Sequence, residues 1–212
     1  MINQIIHLWY SPVLDEALVR PLLSLAERDE LTTHPEQRKQ QATAWAMRRS
    51  LLTTLMDREI PTLMRDDRGR PYLDQGPTFS TAHTHDMVVV AAGSIQRLGI
   101  DVEHLERRSQ AKAIAQRFFP QEEQEWLANQ ADTAQAFIRH WVLKEAMTKA
   151  VGLGLAGQLD RFVLTDLNVH QAPEAWGGAA PWQVERLSLP GNFCVGVVGT
   201  APYHIKGHRW TP

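Results

Sequence analysis

The chain has 212 residues, 43% of them hydrophobic, and a formal net charge of −2. That length suits one large domain or two small ones with a sizeable core, and the near-neutral balance leaves no global basic field for nucleic acid, so an anionic ligand needs a local cluster of cations. The single cysteine, Cys194, excludes an internal disulfide, fits a reducing compartment and, set in an apolar run, reads as a packed thiol. Residues 1–10 lack a basic leader pattern, and the longest strongly apolar run, Met87–Gly93, falls far short of the ~20 residues a membrane helix needs. The expectation is a soluble cytoplasmic protein with no membrane partner.

In chain order, residues 2–10 read as a strand and residues 15–28 as a helix. Pro35 suits the first turn of a second helix that runs to about Asp57. Its stripe includes Ala42, Trp45, Ala46, Leu52 and Leu55, and its other face carries Arg38, Lys39, Arg48 and Arg49, by themselves an ordinary solvated face. Residues 61–77 are turn-rich and read as loop with a short strand. A hairpin is expected next, with strands at 87–92 and 97–103 and Gly93-Ser94 in its turn. The first of these strands is apolar throughout and should be buried on both faces. The second alternates, so Gly99, Asp101 and Glu103 share a face, the two acids roughly 6.6 Å apart at ~3.3 Å per residue, with Gly99 keeping that face open.

The charged run HLERRS then marks the expected boundary between two halves, 1–103 and 104–212. Helices are expected at about 109–117, 120–129 and 132–150, the last stopped by Gly152, Gly154 and Gly157. A strand at 161–166, a loop at 171–181, strands at 182–189 and 192–199 and a polar, fraying tail from Pro202 complete an α+β chain. Each half offers strands with helices to pack on them, without a residue-level repeat.

The last helix carries the sharpest signal. Ala134, Phe137, Ile138 and Trp141 form an apolar stripe that runs into Glu145, with Lys149 one turn on and Lys144 beside it. An exposed Glu145–Lys149 pair would be worth only ~0.2–0.5 kcal/mol. A carboxylate in line with a buried stripe instead needs a positive partner. With Asp101 and Glu103 it makes three carboxylates, oxygen ligands that suit Mg²⁺. His83, Arg49, Lys144 and Lys149 are candidate phosphate binders around them. A D-x-E pattern alone is equally that of a solvent-facing strand edge. His85, His104 and His140 read as structural or surface histidines, and Trp126, Leu127 and Trp141 as core.

GIDVE at 99–103, FFPQEE at 118–123 and WVLKEA at 141–146, followed by Lys149, resemble the three-part signature of the Sfp-type 4′-phosphopantetheinyl transferases. Gly69-Arg70-Pro71, FSTAHT at 79–84 and Arg48-Arg49-Ser50-Leu51-Leu52 extend the likeness over residues 45–155. The resemblance implies two similar α+β halves, a pseudo-dimeric fold with coenzyme A and the active site between them. It implies Mg²⁺-dependent transfer of the 4′-phosphopantetheine arm of coenzyme A to a serine of an apo acyl or peptidyl carrier protein, by a monomer, with 3′,5′-ADP released. Carried onto this sequence, Asp101, Glu103 and Glu145 would hold Mg²⁺, and Lys144 and Lys149 would contact phosphates, Lys149 with a catalytic role beside Glu145. His83, Thr84, Arg49 and Arg70 would bind coenzyme A, and Glu123 matches a glutamate proposed to help deprotonate the serine. Arg70 replaces the usual lysine, Ser80 an asparagine and Ala82 a serine, changes that bear on coenzyme A more than on the metal. Two rivals remain at this stage: a Mg²⁺-dependent nucleotide or pyrophosphate hydrolase, and a non-catalytic module that binds coenzyme A or a carrier.

Overall fold

A computed structural model describes residues 4–107, 110–153, 159–200 and 202–212. Strand β1 (Gln4–Pro12) matches its expectation, but the helix expected over 15–28 is broken. Asp15 caps α1 (Glu16–Val19), Pro21 sits in a 3₁₀ turn, and Ser24 opens α2 (Leu25–Asp29) with a capping box closed by Glu27. Helix α3 (Pro35–Met56) has Pro35 in its first turn and ends on Asp57 in the left-handed conformation. The turn-rich stretch holds two short strands, β2 (Met64–Arg65) and β3 (Pro71–Tyr72).

The expected hairpin is replaced by another. Strand β4 (Thr78–His83) pairs antiparallel with β5 (Met87–Gly93), while β6 (Leu98–His104) belongs to a different sheet. The apolar β5 sits between β1 and β4, buried along its whole length as its composition requires. Gly93-Ser94 is therefore a link between sheets and not a hairpin turn.

Three helices follow, α4 (Ala111–Phe118), α5 (Gln121–Ala128) and α6 (Thr133–Val151), the last ending on Gly152 at φ 75°. Gly154 and Gly157 lie outside the described residues. Strands β7 (Val163–Thr165) and β8 (Asn168–Gln171) form a small hairpin, and a 3₁₀ turn occupies Glu174–Trp176 within the expected loop. Strands β9 (Trp182–Leu189) and β10 (Phe193–Thr200) match expectation. The tail does not fray: β11 (Tyr203–Arg209) adds to the edge of β1, and Trp210 is buried, its N–H donating to Tyr10 O.

Mixed α+β architecture follows, in two compact units. The first comprises residues 4–95 with His204–Pro212 and carries the sheet β11-β1-β5-β4. Its core sets Ala46, Met47 and Leu51 of α3 against Val88 and Val90 of β5. The second is Gln96–Tyr203, with the sheet β6-β10-β9 and helix α6 packed on it. The division falls before β6 and not after Glu103, because β6 pairs with β10 along its whole length. Among the described residues no helix is long and apolar enough to cross a membrane.

Candidate functional site

Strand alternation places Leu98, Ile100 and Val102 in the core and Gly99, Asp101 and Glu103 on the opposite face. That face is not open at Gly99. A Cβ there would stand 1.9 Å from Ala146 O, and one at Gly196 on β10 would stand 2.5 Å from Val142 O. Two side-chain-free positions thus let the backbone of α6 rest directly on the sheet. Sequence reading missed Gly196, although a glycine inside FCVGVVGT carries the same signal as Gly99.

The close seat brings the helix acids and cations to the strand. Lys149 Nζ donates to Asp101 Oδ1 at 2.8 Å, so Lys149 pairs with the strand and not with Glu145. Burial holds the Asp101 carboxyl above its ordinary value despite the Lys149 charge. Glu145 is 5% exposed, and its Oε1 finds no partner among the described residues. Burial first, then the Asp101 charge, push its carboxyl from 4.5 up to about 7. Glu103 is half-buried and receives a guanidinium N–H from Arg107, a partner the sequence did not single out.

Glu123 and Lys144 form a separate cluster. Successive residues of a helix point ~100° apart, so Lys144 leaves α6 in another direction from Glu145. Its Nζ donates to Glu123 Oε1 and to Phe162 O, both at 2.8 Å, and stands 3.6 Å from the Phe162 ring centroid. Glu123 Oε1 also accepts Leu164 N–H at 2.7 Å, and His140 Nε2 stands 3.1 Å from Glu123 Oε2 without hydrogen-bond geometry. Glu123 and Lys144 are both 0% exposed, and burial lowers the Lys144 ammonium from 10.5 to about 8. As placed, Glu123 has no open route to a serine hydroxyl and Lys144 none to a phosphate. Together they tie α5, α6 and β7 into one body.

The remaining candidates stand in the first unit. Arg48 is buried, and its Nη2 donates to Glu27 Oε1 at 2.8 Å, so the basic stripe of α3 is not wholly solvated. Arg49 lies 3.4 Å from Glu27 Oε2, and both arginines line a cavity of about 450 Å³ with Trp45 and Arg65. Arg70 closes the β2–β3 turn, its N–H donating to Asp66 Oδ1 at 2.8 Å. His83 is exposed at the end of β4, and Thr84 Oγ1 accepts Met87 N–H at 3.1 Å, leaving the hydroxyl hydrogen free to donate. Ser80 and Ala82, two of the three departures, are buried strand positions.

Asp101, Glu145 and Lys149 are therefore brought together, with Glu103 one strand pleat away. Among the described residues no group of three or more His, Cys, Asp or Glu side chains stands ready to hold a metal ion. The Asp101–Glu145 pair nevertheless fits a cation, because it is a buried, mutually repelling carboxylate pair with an orphaned oxygen.

Residues 97–198 match the 4′-phosphopantetheinyl transferase superfamily, a span that holds Asp101, Glu103, Glu123, Lys144, Glu145 and Lys149. The whole chain is 28% identical over 227 residues to the 4′-phosphopantetheinyl transferase HetI of Nostoc sp., covering 92% of that protein. It is 35% identical over 101 residues to a putative 4′-phosphopantetheinyl transferase of Haemophilus influenzae, across 45% of this chain and 43% of the relative. It is 30% identical over 100 residues to the 4′-phosphopantetheinyl transferase gsp of Aneurinibacillus migulanus, across 46% of this chain and 41% of the relative. The second unit of this chain is thus similar to the 4′-phosphopantetheinyl transferase superfamily, and the chain along its whole length is similar to a 4′-phosphopantetheinyl transferase.

Proposed function

We propose that this chain is a cytoplasmic, monomeric, Mg²⁺-dependent enzyme that transfers the 4′-phosphopantetheine arm of coenzyme A to a serine of an apo acyl or peptidyl carrier protein. The observation that carries the reading is Glu145, a buried carboxylate with an orphaned oxygen beside Asp101 and Lys149. In the transfer, the serine oxygen attacks the phosphorus that bears the arm. The bond from that phosphorus to the bridging pyrophosphate oxygen breaks, 3′,5′-ADP leaves, and the serine proton is lost to a base. Mg²⁺ held by Asp101, Glu145 and Glu103 would neutralise charge on the pyrophosphate as it departs.

This chain's own groups have distinct tasks. Lys149 holds Asp101 in place and brings a positive charge that can offset the leaving phosphate. Glu145, with its carboxyl near 7 in the metal-free chain, gives up its proton when it takes Mg²⁺, so metal binding should strengthen as pH rises through that range. Arg49, Arg70, His83 and Thr84 are assigned to coenzyme A in the first unit, three cationic or titratable groups and one hydroxyl suited to phosphate oxygens. Glu123 and Lys144 are assigned a positioning role, because their buried pairing sets the α6 turn that carries Glu145. The carrier, typically acidic, is expected to meet a local basic face despite the net charge of −2.

Intact-mass measurement of apo carriers incubated with the protein, coenzyme A and Mg²⁺ tests the reading. A gain of one phosphopantetheine arm that is lost with chelator or in Glu145→Gln supports it. Coenzyme A binding without modification of any carrier overturns it in favour of a binding module.

A further inference from the structure

The face of the second sheet that carries α6 has a second charged feature. Asp101, Gly196 and Arg186 are cross-strand partners on β6, β10 and β9. Directly opposed residues point to the same face. Since the missing side chain of Gly196 faces Val142 O of α6, Arg186 stands on the helix-bearing face as Asp101 does. Asp101 meets Lys149 at one edge of the three-stranded sheet. At the other edge Arg186 and Arg139 line a cavity of about 300 Å³ contained wholly in the second unit.

Its construction is that of a small ligand site with a mixed wall, apolar on one side and polar on the other, where Gln130 and His140 join the charged groups. Trp126, Leu143, Leu164 and Leu167 supply the apolar surface. Arg139 Nη2 takes Gln135 Oε1 at 2.8 Å, and among the described residues neither Arg139 nor Arg186 pairs with a carboxylate. Both stand on the wall of the same cavity, and both charges oppose the burial that raises the Cys194 thiol. Leu167 is 39% exposed at φ 63°, in the two-residue β7–β8 turn. A leucine held in the left-handed region costs ~1–2 kcal/mol and is chosen against glycine or asparagine, yet here it places apolar surface at the cavity wall. Asp166, also on the wall, accepts the Trp126 indole N–H at 3.1 Å. Its charge favours a monoanion over a phosphate dianion.

We propose that this cavity binds a small monocarboxylate with an apolar body, the carboxylate held by Arg139 and Arg186 and the hydrocarbon lying against Trp126, Leu143 and Leu167. A guanidinium presents the planar fork that a carboxylate matches. The site uses none of the groups assigned to coenzyme A or the metal, so it stands apart from the transfer reading.

Titration calorimetry of the full chain with octanoate, octan-1-ol, octylamine and octyl phosphate tests it. Octanoate should bind saturably and at least about tenfold more tightly than the other three, a gap of ~1.4 kcal/mol. Arg186→Gln, at an exposed strand position, should weaken octanoate at least about tenfold while keeping the wild-type circular dichroism. Arg139→Gln should do the same, and Glu145→Gln should leave octanoate binding unchanged. Equal binding of octan-1-ol would reduce the cavity to a plain apolar one, and tighter octyl phosphate would overturn the carboxylate class. No binding of octanoate, or octanoate binding indifferent to Arg186→Gln, overturns the site.

Discussion

Glu145→Gln should make the metal-free protein more stable at neutral pH and inactive in transfer. The Glu145 carboxyl rises from 4.5 to about 7 in the folded chain. A folded-state value above the unfolded one means that, between the two, the folded chain holds a proton the unfolded chain has lost. Stability therefore falls as pH climbs from 4.5 through 7, and the whole penalty is present above 7. A rise of that size at ~1.36 kcal/mol per pH unit sets a ceiling of about 3 kcal/mol. The amide has the size of the protonated acid and does not titrate, so the variant should lose most of this slope. Asp101, raised by burial, contributes a slope of the same sign in both proteins, which cancels in the difference between them.

Urea denaturation in chelator from pH 4.5 to 8 reads the effect. The difference in stability between variant and wild type should shift by ~1–3 kcal/mol in the variant's favour across that window. Added Mg²⁺ should restore wild-type stability at pH 8 by mass action and leave Glu145→Gln unmoved. Parallel pH curves for the two proteins would refute the reasoning, because they would mean that Glu145 ionises in the folded chain as freely as in water.

Gly99→Ala should cost ~3 kcal/mol or more in urea denaturation, since its Cβ would fall 1.9 Å from Ala146 O; a loss under about 1 kcal/mol would show that α6 can lift. Lys144→Met should cost ~3–5 kcal/mol by leaving Glu123 buried and unpaired, measured the same way. Folded Glu123→Gln should keep the shape of the pH–rate profile; loss of its acidic limb would return the base role to Glu123. Asp57→Gly should raise thermal stability slightly, by ~0.5–1 kcal/mol, because Asp57 ends α3 at φ 50°, where glycine is unstrained.

What could be read in the sequence was whatever depends on local period. The alternation of β6 put Asp101 and Glu103 on one face, and the spacing of α6 put Glu145 and Lys149 one turn apart. What could not be read was pairing between distant segments. Gly93-Ser94 has turn chemistry, yet β5 takes β1 and β4 as neighbours and β6 takes β10. The polar tail gave no sign that β1 leaves an edge for β11 to fill. Lys144 and Glu145 are adjacent in the motif, and a motif does not say which way each residue points; the helix sends one to Glu123 and the other toward Asp101.

Gly99 shows most clearly how a correct residue can be read for the wrong reason. A missing side chain beside two acids looks like room for a ligand. The room is taken by the backbone of α6, and that contact creates the site by forcing Glu145 into burial beside Asp101. The helix cannot relax away from the repulsion without lifting off both Gly99 and Gly196, and the Glu123–Lys144 pair holds its other side. The strain therefore stays on the carboxylates, where a bound cation would relieve it. A fold that packed α6 more loosely would be more stable without metal and would hold one less tightly.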